Sequence, residues 1–152
     1  MFRNINGKIS CILGSASKPE GVSFESTDLS IDSRDAPEDY VIGFDVNKGS
    51  DDSHRRASFV LLRDIATGPH VMHQGASFSS AGYSERAYEG ATKRINQYSV
   101  ISGVLEIVVT DISAAVRKYD ITGFSLSVKS DIGNAPAITV EGKFEFYIRK
   151  HD

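Results

Sequence analysis

The stretch Ala137–Arg149, Ala-Ile-Thr-Val-Glu-Gly-Lys-Phe-Glu-Phe-Tyr-Ile-Arg, decides the fold. In an extended chain Ile138, Val140, Phe144, Phe146 and Ile148 share one face, and Thr139, Glu141, Lys143, Glu145 and Arg149 share the other. That alternation is the signature of a half-buried antiparallel strand. Working outward, Ile101–Asp111 and Asp120–Lys129 read as two further strands, so the last third of the chain, Val100–Lys150, is a run of three. Asp111–Arg117 between them suits a short helical turn or a wide hairpin loop.

Further strands are expected upstream, each needing this sheet to close its core. Lys8–Leu13 alternates, with Ile9, Cys11 and Leu13 on one side. Ser15–Gly21 is a loop. Val22–Glu25 and Leu29–Asp32 are short strands broken at Ser26–Asp28, and Ser33–Asp39 is a polar connection. Tyr40–Val46 is a clear strand, followed by the polar loop Asn47–Arg56. Ala57–Ile65 carries Phe59, Leu61 and Ile65 on one face and Val60 and Leu62 on the other, as a central, doubly covered strand does. His70–Ser79 is a weaker strand, interrupted by Gly75. One helix is predicted over Ser84–Ile95, with Ser84 as N-cap, Glu85 in the first turn, and Lys93 and Arg94 in the last. Tyr88, Ala91 and Ile95 would form its apolar stripe, and Gly90 weakens it.

The expected fold is therefore mainly β: one antiparallel β-sandwich or partly open barrel of about eight to nine strands, with one short helix near 84–95. At 152 residues the chain suits a single β-rich domain, 1–152. Alternating βα units are absent, which argues against Rossmann and TIM architectures. The single cysteine, Cys11, allows no intrachain disulfide and reads as a small buried hydrophobe. No apolar run approaches the ~20 residues of a membrane helix. The opening Met-Phe-Arg-Asn-Ile-Asn-Gly-Lys lacks an apolar leader core, so a cytoplasmic location is expected.

The chemistry-bearing motifs are missing. There is no phosphate-binding glycine loop, no dinucleotide fingerprint and no Gly-x-Ser-x-Gly elbow. His70 and His73 stand three apart, a metal-pair spacing on a helix, but on a strand they point to opposite faces. Asp45–Asp52 superficially resembles a calcium loop, yet Ser50 stands where the turn glycine belongs and Arg56 where the bidentate glutamate belongs. Glu106, Glu141 and Glu145 lie on strand faces shared with Thr and Lys, as solvent-facing carboxylates do. No catalytic residue, metal or cofactor is expected, and the chain reads as a non-enzyme.

Charge is the feature that stands out. From Glu25 to Asp52 there are nine acids and two bases, a net of −7. The whole chain carries −3, so the remainder carries +4. Such asymmetry bears on association, and the overall sign argues against nucleic acid. The expected binding residues are Asp32, Asp35, Glu38, Asp39, Asp51 and Asp52, and the expected partner is another protein with a basic surface. A bacterial immunity-type or accessory protein is the concrete form.

Two short stretches carry a resemblance. Ile5-Asn6-Gly7-Lys8 before a strand, and Val140-Glu141-Gly142-Lys143-Phe144-Glu145-Phe146 at the end, resemble small lipocalin-like bacterial domains of unassigned function, whose last strand often has a Gly-x-Phe-x-Phe pattern. The resemblance assigns no residue a role. The alternative function is a lipocalin-like β-barrel binding a small hydrophobic ligand, with an apolar interior lined by residues such as Phe44, Phe59, Leu105, Phe124 and Phe146.

Overall fold

The computed structural model describes residues 2–4, 7–13, 22–26, 29–33, 39–46, 54–89, 92–131 and 136–149. They form eleven strands: β1 (Phe2–Asn4), β2 (Gly7–Leu13), β3 (Val22–Ser26), β4 (Leu29–Ser33), β5 (Asp39–Val46), β6 (Arg55–Leu62), β7 (Gly68–Val71), β8 (Phe78–Glu89), β9 (Thr92–Asp111), β10 (Val116–Ser130) and β11 (Ile138–Arg149). All belong to one antiparallel sheet in the order β1-β4-β5-β6-β8-β9-β10-β11-β2-β3, with β7 lying off this path against β9. The sheet is open and curled, a half-barrel with the core on its concave side. A single curled sheet corresponds to the partly open barrel and not to a sandwich of two.

The curl follows from the connections. β1 and β3 stand at opposite ends of the strand order. Yet β1 is followed after two residues by β2, and β3 after two residues by β4. Three Cα steps reach at most ~11 Å, so both links draw the two ends of the sheet toward each other.

The last third folds as its alternation predicts. β9, β10 and β11 are neighbours, and the β10–β11 ladder runs from Val116↔Arg149 to Val128↔Ile138. Ile138, Val140, Phe144, Phe146 and Ile148 are all buried, while Thr139, Glu141 and Lys143 are exposed. Gly142 falls in the inward series and stands opposite Phe124 in the ladder.

Aromatic rings fill the concave side. Phe59, on β6, lies 6.0, 5.0 and 5.1 Å from the rings of Phe78, Phe124 and Phe144. Phe146 stacks on Tyr119 at 5.0 Å. Tyr119 in turn donates its hydroxyl to the Arg63 carbonyl at 2.6 Å, which satisfies the one polar atom of a buried ring. β6 lies between β5 and β8 with Phe59 and Leu61 inward and Val60 also buried, consistent with its two apolar faces.

Three expectations need correction. The predicted helix at 84–95 is instead the tip of the β8–β9 hairpin, paired from Tyr83↔Tyr98 to Glu89↔Thr92. No helix occurs among the described residues. Gly90 and Ala91, which separate the paired Glu89 and Thr92 in sequence, lie outside the described residues, and a glycine at the first of two such positions is a hairpin signal in sequence. Residues 84 and 85 also pair with β6, and that ladder overrides a helical propensity. The strand count rises from eight or nine to eleven, because β1 was not foreseen and β7 is separate from β8. The expected strand His70–Ser79 breaks between Val71 and Phe78, where Gly75 has a φ of 84°. Asp111–Arg117 holds the β9–β10 connection, the hairpin alternative. The expected loop Ser15–Gly21 lies outside the described residues.

Candidate functional site

At one end of the sheet β5 and β8 finish while β6 and β9 begin. The ladders align Asp45, Arg56, Ser84 and Gln97 in one row across these strands. The next row is Val46, Arg55, Glu85 and Asn96. Alternate rows face opposite sides of a sheet, so two polar clusters form back to back.

In the first cluster Asp45 is gripped twice. His54 Nε2 lies 2.8 Å from Asp45 Oδ1, and Arg56 Nη1 donates to Oδ2 at 2.7 Å. A carboxylate only accepts, so Nε2 carries the proton. His54 is 5% exposed, and its buried Nδ1 has no hydrogen-bond partner among the described residues. A cavity of about 200 Å³ opens here, lined by Asp45, His54, Arg56, Ser84, Glu85, Ile95 and Gln97.

The second cluster centres on Glu85, buried at 9% exposure. Arg55 Nε stands 3.4 Å from Glu85 Oε1, and the Tyr83 hydroxyl donates to the same oxygen at 3.1 Å. The Tyr98 hydroxyl also bonds to Glu85, and the two tyrosine rings meet edge to face at 5.1 Å. Burial first, and then the Glu85 charge, hold both phenols well above their ordinary ionisation range. Each carboxylate is thus committed to cationic and polar neighbours. The arrangement orders four strand ends and provides a polar cavity with an aliphatic wall at Ile95.

The predicted site residues lie elsewhere. Asp32 is on β4, opposite Val41, and Asp39 opens β5, opposite Leu62. Asp35 and Glu38 fall in the connection between those strands, outside the described residues, as do Asp51 and Asp52. The β4–β5 hairpin therefore brings Asp32 and Asp39 to one end of the sheet. β5 spans ~23 Å along its eight extended residues, and Asp51 and Asp52 follow it in sequence beyond its far end, Val46. Asp45, counted in the acidic segment, is neutralised inside the fold. Its two oxygens are occupied, which also removes it from the calcium-loop comparison.

His70 Nε2 lies 2.7 Å from the Ala66 carbonyl, and His73 Nδ1 lies 2.7 Å from that of Gln74. Among the described residues no group of three His, Cys, Asp or Glu side chains is placed to hold a metal ion. Glu106 and Glu141 are exposed, and Glu145 pairs with Lys118 at 3.2 Å. No described helix is long and apolar enough to cross a membrane.

Sequence reading missed His54, Arg55 and Arg56 because they sat at the end of an apparent loop. The missed signal is that Arg55 continues the Ala57-Phe59-Leu61 alternation backwards. The chain matches no protein-family model, no curated protein and no solved structure.

Proposed function

We propose that this chain is a non-catalytic interaction protein, of the immunity or accessory type, that engages a basic protein surface through Asp32, Asp35, Glu38, Asp39, Asp51 and Asp52. The observation that carries this reading is the charge of 25–52, nine acids against two bases in a chain whose remainder is net positive. Such a field accelerates encounter with a cationic partner and fixes orientation. The β4–β5 pairing supports it by setting Asp32 and Asp39 at the same end of adjacent strands. The internal pairing of Asp45 refines it, because that carboxylate contributes little to an outward field.

The filled concave side weighs against the alternative, a lipocalin-like carrier of a small hydrophobic ligand. Phe59, Phe78, Phe146, Ile121 and Leu126 are 0% exposed, and they occupy the volume that such a ligand would need.

The test is comparative capture from source cells by the parent and by a variant with Asp35, Asp39, Asp51 and Asp52 reversed to Lys. The expected result is one stoichiometric basic protein on the parent, lost on the variant and released from the parent by salt as screening lengths shrink from ~10 Å at 0.1 M to ~3 Å at 1 M. Equal capture by both proteins would refute the acidic-surface reading.

A further inference from the structure

We propose that a second copy of this chain packs on the outer face of β9 and β10, with the two β9 strands antiparallel about a two-fold axis. This is independent of the acidic-segment reading and uses different residues. Six large aliphatic side chains stand exposed among the described residues, Val71, Ile95, Ile101, Val104, Val108 and Ile112, at 42–68%. Four lie on β9. Val71, on β7, stands opposite Val104, and Ile112 directly follows β9. Exposed aliphatics scattered singly over a surface mean little, but a concentration on one strand marks an interaction face.

The size of the strip suits a dimer. From Ile95 to Ile112 an extended chain runs ~55 Å at ~3.3 Å per residue, and two strand spacings give a width of ~10 Å. That is ~550 Å² per copy and ~1,100 Å² for the pair, just above the ~1,000 Å² of a specific interface. Ser125 and Ser127, beside Val104 and Ser102 in the ladder, are small enough to let a facing sheet approach.

Charge selects a second copy as the occupant. Along β10, Lys118 stands level with Thr110 of β9, Asp120 with Val108 and Lys129 with Ser99. Asp131 follows, donating its N–H to the Gln97 carbonyl at 3.1 Å. The row thus reads plus, minus, then plus, minus. A two-fold axis lying between the faces, crossing the strands near Gly103, sets level 99 over level 108 and level 97 over level 110. Lys129 then meets the partner's Asp120, and Asp131 meets the partner's Lys118, twice over by symmetry. Lys118 already pairs with Glu145, which would share it. Only a chain with this same order reversed places opposite charges at all four levels, and a second copy antiparallel to the first is such a chain.

Sedimentation velocity over a range of protein concentrations tests this. The parent is expected to dimerise, and Val104→Lys or Ile101→Lys, changing already exposed positions, to leave a monomer with an unaltered circular dichroism spectrum. Asp120→Lys and Lys129→Asp should each weaken association ~10-fold or more, because two symmetry-related attractions become repulsions. The double exchange should restore it to within a few-fold, since the pair is reversed rather than broken. Glu106→Gln should tighten it, Glu106 being an exposed carboxylate of β9 between Val104 and Val108, whereas Asp111, at the strand end, is paired with Arg117. A parent that is monomeric at every concentration overturns the proposal and leaves the strip to a different partner. A dimer indifferent to both lysine substitutions, or one that the double exchange does not restore, overturns it as well.

Discussion

Phe146→Ala removes the ring on which the last strand is pinned. Phe146 is 0% exposed, stacks on Tyr119 at 5.0 Å with 9° between planes, and lies 6.1 Å from Phe144 at 15°. Truncating a buried Phe to Ala costs about 3–5 kcal/mol, from lost transfer energy plus the cavity left behind. Little collapse is available here, because Tyr119 is tethered through its hydroxyl to Arg63 and cannot slide into the gap. The cost should fall toward the upper end. Against a typical total of ~5–15 kcal/mol this is a large fraction. At ~2–4 °C per kcal/mol for a chain of this length, the melting temperature should drop by ~10 °C or more. Urea denaturation should show a lowered midpoint with an unchanged slope, since the surface exposed on unfolding is nearly the same. The control is Glu145→Ala, one residue away on the other face. It breaks the Lys118 pair at 3.2 Å, which is open to solvent, and should leave the melting temperature within a degree or two of the parent. A Phe146→Ala protein melting within a degree or two of the parent, or one no less stable than Glu145→Ala, would refute the face assignment of β11 and the register of β10–β11 with it.

Three other outcomes are expected. Glu85→Ala should cost about 3–5 kcal/mol in a thermal or urea melt, because it strands the Arg55 guanidinium and two tyrosine hydroxyls in a largely buried cluster. Gly103→Ala should destabilise by about 1–3 kcal/mol in the same assay, because the new Cβ would stand 2.8 Å from Cδ2 of the fully buried Leu126. In an alkaline titration Tyr83 and Tyr98, whose folded phenols ionise above the ordinary value, contribute stability that is fully present below ~pH 10 and is lost as pH rises further; their tyrosinate absorbance should appear only together with loss of the β-sheet circular dichroism signal, and ionisation in the folded state at the ordinary value would contradict the burial.

Local alternation made the last third readable. In β10 and β11 each strand is half-buried on its own, so which residues face inward is written in the order of side chains alone. The segment 84–95 was different. Tyr88, Ala91 and Ile95 also match a helical stripe, and no local feature separates the two patterns except Gly90. What decides is non-local: Ser84 pairs with Arg56 on one side and Gln97 on the other, and those partners lie 28 and 13 residues away. The Asp45 cluster was unreadable for the same reason. Asp45 counts as one more surface acid until the β5–β6 register sets Arg56 opposite it and His54 beside it. The acidic residues of 25–52 could be counted from the sequence, but which of them share an end of the sheet depends on the length of β5.

The concave side is packed with rings, both proposed surfaces lie outside it, and the two would not compete. β4 and β9 are separated in the sheet by β5, β6 and β8. Four strand spacings amount to ~19 Å across a curved surface. A copy seated on β9 and β10 would therefore leave the β4–β5 hairpin of each chain unblocked, and the assembly would offer two acidic hairpins in fixed relation. Bivalent presentation matters for a surface of this kind, since exposed charge pairs are individually weak and strongly screened. Linking two such contacts raises avidity toward a partner with two basic patches by ~10²–10⁴ with no new contact chemistry. The aliphatic strip and the acidic hairpin would then have separable tasks. The strip would set the valency with which the hairpin acts, and the hairpin would determine what is bound.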